Sequence, residues 1–123
     1  MPHSYVTAKF TCPGIHSWSG ATGEREYLSH THRHLFTCTV TVVVTHDDRQ
    51  VEYHDLRDLI LQWVMTYPLA SGDMREFGNN SCEHLARDLW QNMVERNKLL
   101  VYEVSVSEDD EFTSTLSKRT ANV

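Results

Sequence analysis

The chain carries no glycine-rich phosphate loop, no GxGxxG dinucleotide fingerprint and no HExxH helix, so nucleotide hydrolysis, dinucleotide chemistry and zincin-type proteolysis lose their usual sequence support. No apolar run approaches the roughly 20 residues that cross a bilayer, and the opening MPHSYVTAKF has no signal-peptide core, which leads us to expect a cytoplasmic protein without a membrane partner. Basic residues are in the minority. Eleven Lys and Arg stand against seventeen Asp and Glu, a net charge of -6, and with no local basic patch a nucleic-acid surface is not expected. Cysteine is too scarce for a disulfide framework: Cys12, Cys38 and Cys82 are odd in number and far apart, as suits reduced, buried thiols. Internal repeats and low-complexity segments are also missing.

What remains is 123 residues, 40% hydrophobic and 23% charged, ordinary for one soluble globular domain spanning 1-123 and large enough to bury a core without staples. Histidine, at eight residues, is the unusual component. Three of the eight open the stretch SHTHRHLFTCTVTVVVT, residues 29–45, where His30, His32 and His34 share a parity with the apolar Phe36, Cys38, Val40, Val42 and Val44. In a strand, residues two apart project to the same face. Imidazoles at 32 and 34 therefore stand side by side at one end of a core-forming face, within reach of a single ion, and neutral imidazole is a common zinc ligand.

Around this stretch the periodicity predicts an α+β domain. Residues 5–12 alternate as a strand that Pro13-Gly14 ends, and residues 15–28 read as a long loop. The strand from 32 to 45 follows, then a polar tip at 46–49 and a short return strand at 50–54. Asp55 is placed to cap a helix carrying Leu56, Leu59, Ile60, Trp63 and Val64, which Tyr67-Pro68 stops. Residues 69–79 read as a connector. Asn80 with Glu83 resembles a capping box opening a second helix with Cys82, Leu85, Ala86, Leu89, Met93 and Val94, and Glu83 is read as a helix cap only. Residues 99–107 form a strand with Leu100, Tyr102, Val104 and Val106 on one face and Glu108 following on that parity; residues 112–117 are a weaker strand. The expected architecture is an antiparallel four- to five-stranded sheet with two helices packed on one face.

A zinc site that keeps a position open for substrate needs a third protein ligand. His16 is the candidate: if the first two strands pair antiparallel, the end of the first lies beside the start of the second. The alternative is that an HxH pair is just two polar residues at a strand entrance, and by parity His30 can replace His32. An HxHxDH run is absent, as is an acid four or five residues beyond the pair, so other metal folds find no support.

Taken together these residues resemble the 6-pyruvoyltetrahydropterin synthase and 6-carboxytetrahydropterin synthase family. His32-Arg33-His34-Leu35-Phe36 is similar to its HGH-polar-aromatic zinc strand, Asp55-Leu56-Arg57-Asp58-Leu59 to its Asp-Phe-x-x-Leu helix start, NNSCEHLA at 79–86 to its NPTSENLA helix start, and Val104-Ser105-Val106-Ser107-Glu108 to the strand ending in its substrate-anchoring glutamate. Phe10 and His16 stand where that family has a phenylalanine and its first zinc histidine. The resemblance runs in order over nearly the whole chain. It implies a tunnelling fold assembled as a homo-oligomer, usually a hexamer, with sites at subunit interfaces. It also implies Zn2+ on His16, His32 and His34, and Glu108 accepting two hydrogen bonds from the ring N–H and exocyclic amine of a pterin. The activity implied is that of a zinc-dependent lyase acting on dihydroneopterin triphosphate in deazaguanine, queuosine or pterin synthesis.

Two departures accompany the resemblance. The family's proton-transfer cysteine, a few residues before the histidine pair, has no counterpart, since Cys12 and Cys38 lie elsewhere; Glu26, six before His32, is the substitute general base, as some family members use a glutamate there. The family's Leu-Asp-His relay is replaced by Leu69-Ala70-Ser71, leaving His54, His84 and Asp73 as candidates between which the sequence does not choose. A second function therefore stands beside the enzyme: a pterin- or purine-binding protein that retains the zinc site without the parent turnover. An unrelated α+β domain with a structural metal is the third.

Overall fold

The computed structural model describes residues 2–118. Its frame is a thirteen-residue antiparallel ladder between β1 (Ser4–His16) and β2 (His32–Val44), in register from Ser4 opposite Val44 to His16 opposite His32. Helix α1 (Tyr53–Val64), the short strands β3 (Leu69–Ser71) and β4 (Met74–Glu76), helix α2 (Cys82–Gln91) and strands β5 (Val101–Glu108) and β6 (Phe112–Ser117) complete it. The sheet order is β3-β4-β1-β2-β5-β6, with β4 parallel to β1 and every other pairing antiparallel. Among the described residues the sheet thus has six strands, more than the four or five expected from the sequence.

Parity sets the layers. Phe36, Cys38, Val40, Val42 and Val44 all project from one face of β2 and are buried. Against them lie Leu56, Ile60, Trp63 and Val64 of α1 and Leu85, Ala86 and Leu89 of α2, with Met93 on the π-helical turn Asn92–Arg96 that continues α2. Asp88 ties the two helices together, its carboxylate accepting from Trp63 Nε1 at 2.9 Å and Tyr67 Oη at 2.6 Å. No helix covers the opposite face of the sheet, which carries the Thr7–Thr41 and Thr11–Thr37 hydroxyl pairs at 2.8 and 3.0 Å and the Tyr5–Tyr102 ring contact at 4.7 Å. All three cysteines are free, and burial pushes the Cys12 thiol up to about 11 and the Cys38 thiol higher still.

Several boundaries differ from the sequence reading. Strand β1 does not stop at Pro13-Gly14 but continues to His16. Its second neighbour, β4, pairs only with Gly14 and Ile15, so the strand is an edge as far as Pro13, where a missing N–H is tolerated. Gly14 is required by contact, since a Cβ there would lie 2.5 Å from Phe77 Cε2 and 2.9 Å from Phe36 Cδ2. No return strand forms at 50–54. Gln50 Oε1 instead accepts from Thr45 N and His46 N at 2.6 and 3.2 Å, closing the end of β2. Glu52, not Asp55, caps α1, accepting from Asp55 N at 3.0 Å. Ser81 caps α2, one residue after Asn80, and accepts from His84 N. The connector holds β3 and β4, turned at Gly72 with φ 55°. On β5, Val101 replaces Leu100 in the core, because the register with β2 slips between Thr41 and Val42; Leu100 is left exposed.

Candidate metal centre

The ladder fixes the site. His16, the last residue of β1, is the register partner of His32, the first residue of β2, and His34 follows on the same face. The three rings pack edge to face with centroids 4.5, 5.2 and 4.9 Å apart, over the ring of Phe36. One nitrogen from each lies within 4.8 Å of the others. His30 is not in this group: it supplies its carbonyl oxygen to His32 Nδ1 at 2.9 Å.

Each Nδ1 has a partner. His16 Nδ1 meets the Asn80 carbonyl at 2.9 Å, His32 Nδ1 the His30 carbonyl, and His34 Nδ1 the Asp109 carboxylate at 2.6 Å. A carbonyl oxygen only accepts, so the rings of His16 and His32 must donate from Nδ1, which leaves Nε2 as the free lone pair in the neutral ring. Orientation of this kind is what a metal-bound imidazole needs. Burial lowers the His16 pKa, opposed by the Asn80 hydrogen bond, and so favours the neutral, ligand-competent ring. Asp109 is itself fixed. Its carboxylate accepts from Leu35 N at 2.7 Å while its own N–H donates to Leu35 O at 2.8 Å, and the Leu35 and His34 bonds hold its carboxyl below the usual range. The donor set and its second layer fit zinc.

Glu108 closes one side. It sits opposite Phe36 in the β2–β5 ladder, with Oε1 3.2 Å from His16 Nε2 and Oε2 3.6 Å from His34 Nε2. The Cys82 thiol, at the first position of α2, donates to Oε1 at 3.3 Å. Burial first, then the neighbouring carboxylate, push that thiol up, so Cys82 is a neutral donor. The sequence reading assigned Glu108 no position relative to the histidines; the structure puts it against them.

The groups expected to move protons are not brought in. Glu26 lies on a short exposed 3-10 helix, Gly23–Ser29, and among the described residues its carboxylate makes no hydrogen bond or ion pair. His54 pairs with Glu52 at the start of α1, Asp73 is in the β3–β4 turn, and His84 lines an open pocket with Tyr67 and Asp88. None of them hydrogen-bonds to the three histidines. A surface cavity of about 480 Å³ is at the other end of the β1–β2 ladder beside Ser4, Val44 and His46, away from the three-histidine cluster. Asp109 and Cys82 escaped the sequence reading. The first shows only as the residue after Glu108 and the second only as an expected buried thiol in the apolar pattern of the second helix.

The same architecture recurs in solved structures. 6-Pyruvoyl tetrahydropterin synthase of Caenorhabditis elegans superposes over 97% of this chain and 98% of its own with a TM-score of 0.62 at 15% identity. The Plasmodium falciparum enzyme of that name does so over 96% and 99% with a TM-score of 0.60 at 11% identity. The chain has the tunnelling fold of the 6-pyruvoyl tetrahydropterin synthases. An uncharacterized protein of Wolinella succinogenes shares this tunnelling fold with a TM-score of 0.60 at 8% identity, over 97% of this chain and the whole of its own. No protein-family model and no curated protein matches the sequence. No described helix of this tunnelling-fold chain is long and apolar enough to cross a membrane.

Proposed function

We propose that the chain is a zinc-dependent, dihydropterin-processing lyase of the 6-carboxytetrahydropterin synthase kind, acting on dihydroneopterin triphosphate in the cytoplasm, in deazaguanine, queuosine or pterin synthesis. The observation that carries this reading is the triad itself: three imidazoles, each oriented through Nδ1, presenting converging nitrogens at the end of a tunnelling-fold ladder. His16, His32 and His34 would hold the zinc, which would supply Lewis acidity toward the side-chain oxygens of the substrate and so make the adjacent C–H more acidic. Glu108 receives the ring N–H and exocyclic amine of the base on its two oxygens, a paired, charge-assisted contact that fixes orientation. Glu26 is the general base, carried to the substrate by the segment before β2 or completed by a neighbouring subunit of a homo-oligomer, a hexamer by resemblance.

A second reading rests on a specific observation: no proton-moving candidate touches the histidines within one chain. It makes the protein a pterin- or purine-binding member of the fold that keeps the zinc and has lost the parent turnover. Incubating the zinc-loaded protein with dihydroneopterin triphosphate and separating the products by chromatography decides between them. The lyase reading expects a converted pterin, turnover abolished in His34→Ala and strongly reduced in Glu26→Gln. Tight binding with the substrate recovered intact establishes the second reading instead.

A further inference from the structure

The carboxylate of Glu108 is closer to the histidines than a substrate anchor has to be. With Nδ1 of His16 donating to the Asn80 carbonyl, the neutral ring has only a lone pair on Nε2, and Glu108 Oε1, another lone-pair atom, sits 3.2 Å from it. Oε2 stands in the same relation to His34 Nε2 at 3.6 Å. A lone pair and a carboxylate oxygen facing each other at that distance are held by a positive centre between them, a proton or a metal ion. In a tetrahedral site with zinc–ligand bonds of 2.0–2.1 Å, neighbouring donor atoms are separated by about 3.3 Å, and the two observed distances bracket that value. The carboxylate is also held there. Its residue is locked into the ladder opposite Phe36, and the Cys82 thiol donates to Oε1 from the start of α2.

We propose that Glu108 is the fourth protein ligand of the metal in the substrate-free protein, positioned by Cys82, and that the open coordination position arises only when an incoming substrate displaces it. This rests on the metal site proposed above and adds a state to it. The resting ion is enclosed by three imidazoles and one carboxylate; the displaced carboxylate then meets the N–H donors of the base. A single side chain thereby couples arrival of the heterocycle to exposure of the metal. Any oxygen ligand that lacks those N–H donors has to compete with the carboxylate unaided.

The test uses the full chain loaded with zinc or cobalt(II). Glu108→Gln, an isosteric change, is expected to bind one metal per chain with affinity lower by at least about tenfold in competition with a chromophoric chelator. Cobalt in the wild type is expected to give the intense visible bands of a four-coordinate ion, unchanged by millimolar azide, whereas in Glu108→Gln azide shifts them. Cys82→Ala is expected to make the wild-type spectrum azide-sensitive, and Cys82→Ser, which restores a donor, to reverse this. Equal metal affinity and equal azide response in wild type and Glu108→Gln overturn the inference while leaving the three-histidine site in place. A wild-type protein that binds no metal overturns both, and a circular-dichroism spectrum identical between the variants separates loss of a ligand from loss of fold.

Discussion

At the scale of single residues, the cluster divides into side chains whose place is written in the spacing and side chains whose place is written only in the fold. His32 and His34 were legible because strand parity aims them together, and His16 because an antiparallel ladder must bring its residue beside His32. Asp109 was not, because its bond to His34 spans 75 positions and depends on a residue with φ 52° turning its carboxylate back onto Leu35. Aspartate is among the few non-glycine residues that tolerate that conformation. Asp109→Asn keeps the backbone preference and removes the charge that supports the imidazole. Zinc affinity is expected to fall by about 10- to 100-fold in Asp109→Asn, as for other outer partners of metal-bound histidines. His30→Ala, which retains the only atom His30 contributes, is expected to leave the affinity unchanged in the same chelator competition.

At the scale of elements, long periodic segments were readable and their ends were not. The apolar stripes of α1 and α2 and the alternation of β2 are what the core uses, but caps are decided by one hydrogen bond, which a pattern cannot rank: Glu52 over Asp55, Ser81 over Asn80. Strands β3 and β4, three residues each, are too short to show a period. Ser81→Ala is expected to cost about 1 kcal/mol, seen as a lower urea midpoint with an unchanged slope. Gly14→Ala forces the Phe77 and Phe36 rings apart and is expected to cost about 1–3 kcal/mol by overpacking; because Phe36 floors the histidines, it should weaken zinc binding as well. The cap of α1 brings a pH dependence. The Glu52 carboxyl is lowered, chiefly by His54 and then by Asp55 N–H, so its contribution is lost as pH falls through the lowered folded value. His54 is raised by Glu52, so its contribution is lost as pH rises through the raised folded value. The difference in melting temperature between wild type and Glu52→Gln should therefore be largest between those two values and shrink at both acidic and alkaline pH.

At the scale of the molecule, one face of the sheet is covered by helices and the other carries the threonine hydroxyl pairs and the Tyr5–Tyr102 contact, with β3 and β6 as the outermost strands among the described residues. Outermost strands are templates for pairing, and a head-to-tail contact of β3 on β6 would repeat until a ring closes. Both edges also expose apolar side chains, Leu69 at 54% and Phe112 at 70%. Phe112 is the register partner of Glu108, so a chain docked on that edge would stand beside the three-histidine cluster. The proposed homo-oligomer and the incomplete proton relay are then one question. Light scattering coupled to size exclusion is expected to give a multiple of the 14.3 kDa chain at micromolar concentration, and Phe112→Glu a smaller species with its melting profile retained. Zinc should stay bound in that variant, since all three histidines belong to one chain, while affinity for a pterin falls. A wild-type monomer that binds pterin as tightly as Phe112→Glu does would show that the site needs no neighbour, and would leave Glu26 of the same chain as the base to be moved into place.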